Sequence, residues 1–176
     1  MQSTCKGLVN LTSLYLDGNH IGDEGAQALK GLVNLTSLNL RNNNIGDAGA
    51  QALKGLVNLT SLDLRRNRIA DISPLVSLRN LCKINLSGNH LDHDVPAFWL
   101  PASLQEVILH DASLPGVPVE ILSKDIYDNC LDRLQAHLAD LTGDDVAVSD
   151  AKLMILGNGR VGKTQICRRL RGEELR

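Results

Sequence analysis

At 176 residues the chain is long enough for one compact domain, or for one elongated repeat array with an appendage. Its 18 Lys and Arg against 20 Asp and Glu give a formal net charge of -2, which argues against recruitment of nucleic acid or anionic membrane by the overall charge. Aromatic residues make up 2% of the chain whereas 32 positions are Leu, so one aliphatic residue is expected to fill the same structural position repeatedly.

The cysteines and the N-terminus indicate the cellular compartment of the protein. Cys5, Cys82, Cys130 and Cys167 are scattered without a C-x-x-C pair, a spacing that indicates neither a metal site nor a disulfide framework. Residues 1–7 lack the basic and apolar regions of a signal peptide, and no apolar run is long enough to span a bilayer. We therefore expect a soluble, cytoplasmic protein with no membrane span.

An internal repeat dominates the first two thirds of the chain. The eight residues Gly-Leu-Val-Asn-Leu-Thr-Ser-Leu recur at positions 7, 31 and 55, an offset of 24 residues each time. The looser pattern Leu-x-x-Leu-x-Leu-x-x-Asn continues from Leu81, with Ile84 in the second Leu position, and a degenerate fifth copy starts at Leu104. This pattern resembles the leucine-rich repeat family over residues 1–116, with about five repeats of which the N-terminal one is incomplete. The resemblance implies an α/β solenoid.

Each repeat is predicted to begin with a short strand. Leu14 and Leu16 alternate with Ser13, Tyr15 and Asp17, a period of two that buries one face and exposes the other. Neighbouring repeats should then pair their strands into a parallel sheet on the concave side of the solenoid.

An asparagine recurs where the chain leaves each strand, at Asn19, Asn43, Asn67 and Asn89. A buried Asn at this point can satisfy backbone groups of adjacent repeats with both its amide and its carbonyl. The resemblance implies that these four side chains form a ladder. Position 112 is Ala, so we expect the ladder to end at the fifth repeat.

The convex segments differ along the array. Residues 25–30 and 49–54, both Gly-Ala-Gln-Ala-Leu-Lys, favour a short helix, whereas Pro74 discourages one in the next repeat. We expect the convex side to change from short helices to 3-10 turns. The array opens in mid-repeat, so its N-terminal end is expected to be frayed or covered by a second copy of the chain.

The outward strand positions build a concave face that is polar and mixed in sign. Tyr and Arg, both present there, are frequent anchors of protein interfaces. We therefore expect this face to bind a protein or peptide, although its side chains could equally be solvated strand residues without a partner. The candidate partner-binding residues are Tyr15, Asp17, Asn39, Arg41, Asp63, Arg65, Asn85 and His110.

A capping helix is predicted after the repeats. Apolar residues recur at helical spacing over residues 125–141, with Ile126 and Leu134 on the apolar side. We assign residues 117–150 to this helix and a following linker.

A phosphate-binding motif follows the apolar run at 153–156. Residues 157–164, Gly-Asn-Gly-Arg-Val-Gly-Lys-Thr, match G-x-x-x-x-G-K-[ST]. Backbone amides there can wrap phosphate oxygens, Lys163 can reach the β- and γ-phosphates, and the Thr164 hydroxyl can ligate Mg²⁺. The same glycines fit the dinucleotide pattern G-x-G-x-x-G, but Lys163 and Thr164 favour the phosphate loop. The candidate phosphate-binding residues are Gly157, Asn158, Gly159, Arg160, Val161, Gly162, Lys163 and Thr164.

The order of repeats, connecting helix and the segment Ala-Lys-Leu-Met-Ile-Leu before this loop resembles the Roco family of Ras-like GTPases. The resemblance implies a parent GTPase that uses GTP or GDP with Mg²⁺, of which residues 151–176 hold the first strand, the loop and the start of a helix. The family's switch threonine, D-x-x-G and N-K-x-D have no counterpart after Thr164. We therefore expect no bound cofactor and no hydrolysis in this chain.

Three interpretations remain open from the sequence. The first is a protein-interaction scaffold of a Roco-like protein. The alternative is a fragment that binds GTP or GDP weakly through its phosphate loop. The third is a purely structural chain without activity.

Overall fold

The computed structural model describes residue 8 and residues 10–92 and 100–142. The chain divides into two compact units, Met1–Gly143 and Asp144–Arg176, and every described residue belongs to the first. The predicted strand from residue 151, the phosphate loop at 157–164 and the N-terminal residues 1–7 lie outside the described residues.

Five three-residue strands form one parallel sheet, and each strand pairs with the next strand along the chain. Each residue lies opposite its equivalent in the next repeat, so that Leu14 pairs with Leu38 and Leu38 with Leu62. This register confirms that every repeat adds one strand to a leucine-rich repeat sheet. The strands are β1 Ser13–Tyr15, β2 Ser37–Asn39, β3 Ser61–Asp63, β4 Lys83–Asn85 and β5 Glu106–Ile108.

The convex side changes along the array as predicted. Helix α1 spans Gly22–Ala28 and continues into a 3-10 helix at Leu29–Gly31, and helix α2 spans Asp47–Leu53. The third repeat carries only a 3-10 helix at Ser73–Ser77, with proline at its start. Proline has no backbone N–H to donate and fixes φ, so a tight turn replaces the helix there.

Aliphatic side chains between the sheet and the convex segments form the core. Leu35 and Leu59 are completely buried, and Leu38 and Leu62 are 2% exposed. Equivalent leucines of successive repeats therefore stack on one another. Burying one such side chain contributes about 1.5–3 kcal/mol relative to leaving it exposed.

A carboxylate on α1 ties the first described helix to the next repeat. Asp23 Oδ1 accepts hydrogen bonds from the backbone N–H groups of Gly46 (2.7 Å) and Gly49 (3.0 Å). A Cβ atom at Gly49 would lie 2.6 Å from the same oxygen and 2.5 Å from Cγ2 of Ile45, so a larger residue there would displace the carboxylate. Asp47 repeats this bridge one repeat later.

The predicted asparagine ladder runs through the interior of the array. Asn67 Oδ1 accepts hydrogen bonds from the N–H groups of Asn43 (3.1 Å) and Ile45 (2.9 Å) in the preceding repeat. Its Nδ2 donates to the carbonyls of Leu40 (3.0 Å) and Leu64 (2.9 Å). One side chain thus satisfies backbone groups of two repeats where water is excluded.

The ladder does not extend evenly to both ends. Asn43 and Asn89 are completely buried and also bond to the repeat before them, but Asn19 is exposed and its amide donates to Asp17 O, at 3.0 Å. The prediction that Asn19 is a buried member is wrong, because no described residue before it supplies the groups that it could satisfy. At the other end Ala112 terminates the ladder, as predicted.

Residues after the repeats cover the free edge of β5. Cys130 N donates to Val107 O (2.9 Å), and Val107 N donates to Asn129 Oδ1 (3.0 Å). Farther along the same edge, Leu109 N donates to Ser123 Oγ (2.9 Å). We call the described residues after the repeats, 117–142, the cap. The cap continues the hydrogen bonding of the sheet without forming a sixth strand.

Helix α3 spans Leu131–Thr142, so it begins at residue 131 and not at residue 125 as predicted. Asn129 Oδ1 accepts from the N–H of Leu131 at 3.1 Å, and Cys130 is bonded to the sheet edge. These contacts hold residues 129 and 130 outside helical geometry. Side-chain hydrogen bonds of this kind favour turns and helix starts over helix interiors.

Arg133 on α3 holds the cap together. Its guanidinium forms a two-point ion pair with Asp128, with Nη2–Oδ2 at 2.6 Å, and donates to the carbonyls of Ile121 (3.2 Å) and Leu122 (3.1 Å). The hydrogen bond from Arg133 and a second one from the backbone N–H of Lys124 lower the pKa of Asp128 below its ordinary value of 3.8.

We predict that Asn67→Ala lowers the free energy of unfolding by about 3 kcal/mol, because it leaves buried N–H and C=O groups unsatisfied. Asn19→Ala is the matched control, since it removes the equivalent side chain at an exposed position and should cost less than about 0.5 kcal/mol. Urea denaturation followed by circular dichroism measures both. Equal effects of the two substitutions would contradict the ladder.

We also predict that Asp128→Asn lowers the urea midpoint at neutral pH and that this difference shrinks below pH 3.8. The lowered pKa means that the carboxylate stabilises the fold above the ordinary value and loses that contribution as it protonates. Asp132→Asn, at an exposed position in the first turn of α3, is the control. A difference independent of pH would show that the ion pair does not matter.

Candidate binding groove on the concave face

The concave face is the side of the sheet that carries the outward positions of the five strands. Two neighbouring grooves lie on it. The larger, of about 370 Å³, is called the arginine groove; it is lined by Arg41, Arg65, Arg66, Ser87, Gly88, His110, Asp111, Ile126 and Tyr127. The smaller, of about 250 Å³, is lined by Ser61, Leu62, Asp63, Arg65, Lys83, Ile84, Asn85, Glu106, Ile108, Ile126 and Tyr127.

The structure brings together only some of the predicted concave residues. Arg41, Arg65 and His110 line the arginine groove although they come from three different repeats. Asp63 and Asn85 line the smaller groove. The remaining three, Tyr15, Asp17 and Asn39, line neither of these two grooves.

Two residues of the cap form one wall of both grooves, and the sequence did not predict this. Tyr127 is 85% exposed and Ile126 is 39% exposed. Ile126 was predicted on the apolar face of a helix, and that prediction is wrong because α3 starts after it. Asp125 Oδ1 accepts from the N–H of Tyr127 at 2.8 Å, and an Asp two residues before an aromatic was the local signal for this turn.

The side chains at the ends of the strands support the turns that follow them. Asn39 Oδ1 accepts from the N–H of Arg41, and Asp63 Oδ1 from the N–H of Arg65, both at 3.0 Å. Asn85 makes the same contact with the N–H of Ser87. These three candidate residues therefore fix the turn geometry, and each has fewer free hydrogen-bond acceptors for a partner.

Some of the charges on this face neutralise one another. Arg65 pairs with Asp63 through Nη2–Oδ2 at 2.8 Å and Nε–Oδ2 at 2.9 Å. Lys83 on β4 pairs with Glu106 on β5 at 3.0 Å. Both pairs are partly exposed, so each contributes only about 0–1 kcal/mol to stability. Their effect on a partner is to reduce the net field of the smaller groove.

The arginine groove keeps a net positive charge. The guanidinium groups of Arg41 and Arg66 make no hydrogen bond or ion pair with the residues that the structure describes. The acidic lining residue is Asp111, whose carboxylate lies 3.3 Å from Nδ1 of His110. An anionic group entering here would meet Arg41 and Arg66, which are not paired with a carboxylate of the described residues, with Asp111 as the one acid in the lining.

Metal binding and membrane insertion find no support within residues 10–92 and 100–142. That part of the chain contains no group of three or more His, Cys, Asp or Glu arranged to hold a metal ion. None of its helices has the length and apolar character needed to cross a bilayer.

Comparison with known proteins agrees with the repeat architecture. Residues 9–69 and 33–91 match the leucine rich repeat family model. A leucine-rich repeat protein of Leptospira interrogans has a similar structure, with 31% sequence identity over 65% of this chain and a TM-score of 0.53. No curated protein sequence matches the chain.

Two internalins of Listeria monocytogenes are also similar. The internalin inlF has 25% identity over 62% of this chain with a TM-score of 0.48, and internalin C2 has 26% identity over 62% with a TM-score of 0.44. The matched part is 29% of the Leptospira protein and 38% and 57% of the two internalins. The family match and the strand register together show that residues 9–91 are a leucine-rich repeat region.

Proposed function

We propose that this chain is a protein-interaction scaffold whose concave face binds a protein or peptide. The observation that carries the proposal is the arginine groove, where side chains of separate repeats and of the cap line one cavity. A partner would contact Arg41, His110 and Tyr127 at once. The backbone of these residues belongs to the sheet and the cap, so binding has to order side chains but does not have to fold a backbone segment.

The residue types fit an interface better than a small-molecule site. Tyr and Arg are over-represented among the residues that contribute most to binding energy at protein interfaces. The groove is partly open to solvent, is lined by charged as well as apolar side chains and is bounded by an exposed aromatic, whereas small-molecule sites are mostly apolar and enclosed. Leucine-rich repeat regions commonly bind proteins, which agrees with this assignment.

We predict that the double charge reversal Arg41→Glu with Arg65→Glu weakens peptide binding by at least about thirtyfold, the loss expected when a 2 kcal/mol anchor is removed. The ligand is a peptide selected from a displayed random library against the unmodified chain, and its affinity is measured by calorimetry. Arg68→Glu with Arg79→Glu is the matched control. It changes the net charge equally at exposed positions that line neither groove.

Unchanged binding by the concave variant, or equal loss in both variants, would show that the selected peptide does not use this face. Circular dichroism of both variants checks that the repeats remain folded.

We further propose that the repeats precede a Ras-like GTPase domain of the Roco type in a longer parent protein, where partner binding is coupled to GTP or GDP with Mg²⁺. This proposal rests on the sequence of residues 157–164 and on the order of segments before it. The family match ends at residue 91 and the loop lies outside the described residues. The cytoplasmic location and a second copy covering the N-terminal end likewise stay predictions from the sequence.

The alternative function is weak nucleotide binding by this chain itself. If the loop folds into a working site, labelled GTP and GDP should bind in Mg²⁺ with a preference over ATP, and Lys163→Ala should abolish the binding because it removes the β/γ-phosphate contact. Fluorescence anisotropy measures this. Lys152→Ala, before the loop, is the control. No binding by the unmodified chain would leave the repeats as its functional part.

A further inference from the structure

The chemistry of the arginine groove identifies a class of partner. Arg41, Arg65 and Arg66 place three guanidinium groups on one cavity, and Asp63 neutralises the second of them. The other two have no carboxylate or carbonyl partner in the described part of the chain. An arginine forms its strongest hydrogen bonds with carboxylates, in a two-point geometry. The groove therefore offers two sites for anionic side chains.

The backbone conformation of Arg66 is a second, independent observation. Its φ is 53°, in the left-handed region, where an ordinary L-residue costs roughly 1–2 kcal/mol. The equivalent position in the other repeats also has positive φ and carries Gly18, Asn42, Gly88 and Asp111, types that tolerate this conformation better. Because the turn imposes a positive φ in all five repeats, backbone preference does not explain an arginine at position 66, whose side chain lines the groove.

The cap supplies the apolar part of the groove. Tyr127 exposes 85% of its surface and Ile126 exposes 39%, and both line the cavity that contains the arginines. An aromatic side chain exposed to this extent buries much apolar area when a partner covers it. A ligand that uses the whole cavity therefore carries acidic groups at one end and an apolar side chain at the other.

Charge distinguishes a peptide from a longer polyanion. Nucleic acid binding needs a basic stripe that neutralises several phosphates, and the chain has a net charge of -2. In the neighbouring groove Asp63 and Glu106 pair with Arg65 and Lys83, so this groove has no net positive charge for a backbone of phosphates continuing along the sheet. A short acidic segment needs positive charge only in the arginine groove.

We propose that the arginine groove binds an acidic protein segment, with carboxylates on Arg41 and Arg66 and an apolar side chain against Tyr127. This inference rests on the scaffold function proposed above and adds the chemistry of the partner.

The test uses three fluorescein-labelled synthetic peptides and the full chain. One peptide contains Asp-Glu-Asp followed by Leu-Phe, the second replaces the acids by Asn-Gln-Asn, and the third keeps the acids but replaces Leu-Phe by Gly-Ser. We expect the first to bind at least about tenfold more tightly than either of the others, since one charge-assisted hydrogen bond or one buried apolar side chain is worth that much. Its affinity should fall as salt rises.

Variants of the chain assign the contacts. Arg41→Gln, Arg66→Asn and Tyr127→Ala should each weaken the first peptide about tenfold. Asn tolerates positive φ, so Arg66→Asn removes the charge while keeping the turn. Arg68→Gln and Arg79→Gln are the matched controls and should leave the affinity unchanged.

Three results would overturn the inference: equal binding of the acidic and amide peptides, equal loss in the control variants, or tighter binding of a single-stranded oligonucleotide than of the first peptide. The scaffold function has a separate outcome. If a library peptide without acidic residues binds and Arg41→Gln weakens it, the concave face is still an interface and only the acidic specificity is wrong. If no selected peptide depends on Arg41 or Tyr127, both proposals fail.

Discussion

Each of the first three repeats leaves its strand through a turn whose backbone N–H groups and carbonyls point into the protein, and an asparagine of the following repeat satisfies them. Asn67 bonds backbone groups on both sides of itself, so neither repeat completes its hydrogen bonding without the other. Unsatisfied groups at that depth cost about 1–3 kcal/mol each. In the first four repeats this arrangement holds neighbouring turns together, and it thereby supports the aligned strands β1 to β4, the stacked leucines and the constant direction of the outward side chains.

The same constraint explains the shape of the cap. An array of parallel strands always has a last edge with unpaired N–H and C=O groups, and no further asparagine follows Asn89 in the ladder. Asn129, Cys130 and Ser123 satisfy the edge of β5 from an irregular segment, and Arg133 fastens that segment to α3. To reach this edge the chain must pass the concave side, which is how an exposed tyrosine comes to stand beside arginines of distant repeats.

Charge on the concave face is therefore not simply the sum of its outward residues. Arg65 and Asp63 lie in the same strand-to-turn segment and neutralise each other, and Lys83 and Glu106 pair across neighbouring strands. Arg41 has no such neighbour, because Asn39 takes the place of an acid two residues before it. This difference between repeats that are otherwise nearly identical leaves the Arg41 guanidinium unpaired among the described residues, and the proposed binding of anions depends on it.

The sequence by itself determined the repeat, the parallel register, the buried leucines and the end of the asparagine ladder at Ala112, because each follows from a period that every copy obeys. It also predicted the change from helix to 3-10 turn at Pro74. It did not determine the start of α3 or the surroundings of Asn19, where the outcome depends on a neighbour and not on the period. Helical spacing over residues 125–141 placed Ile126 on a helix, but the open edge of β5 bonds Cys130 and delays the helix to Leu131. Only the tertiary structure decided which side chains share the arginine groove, because the pairing of charges and the path of the cap are set by contacts between residues far apart in the chain.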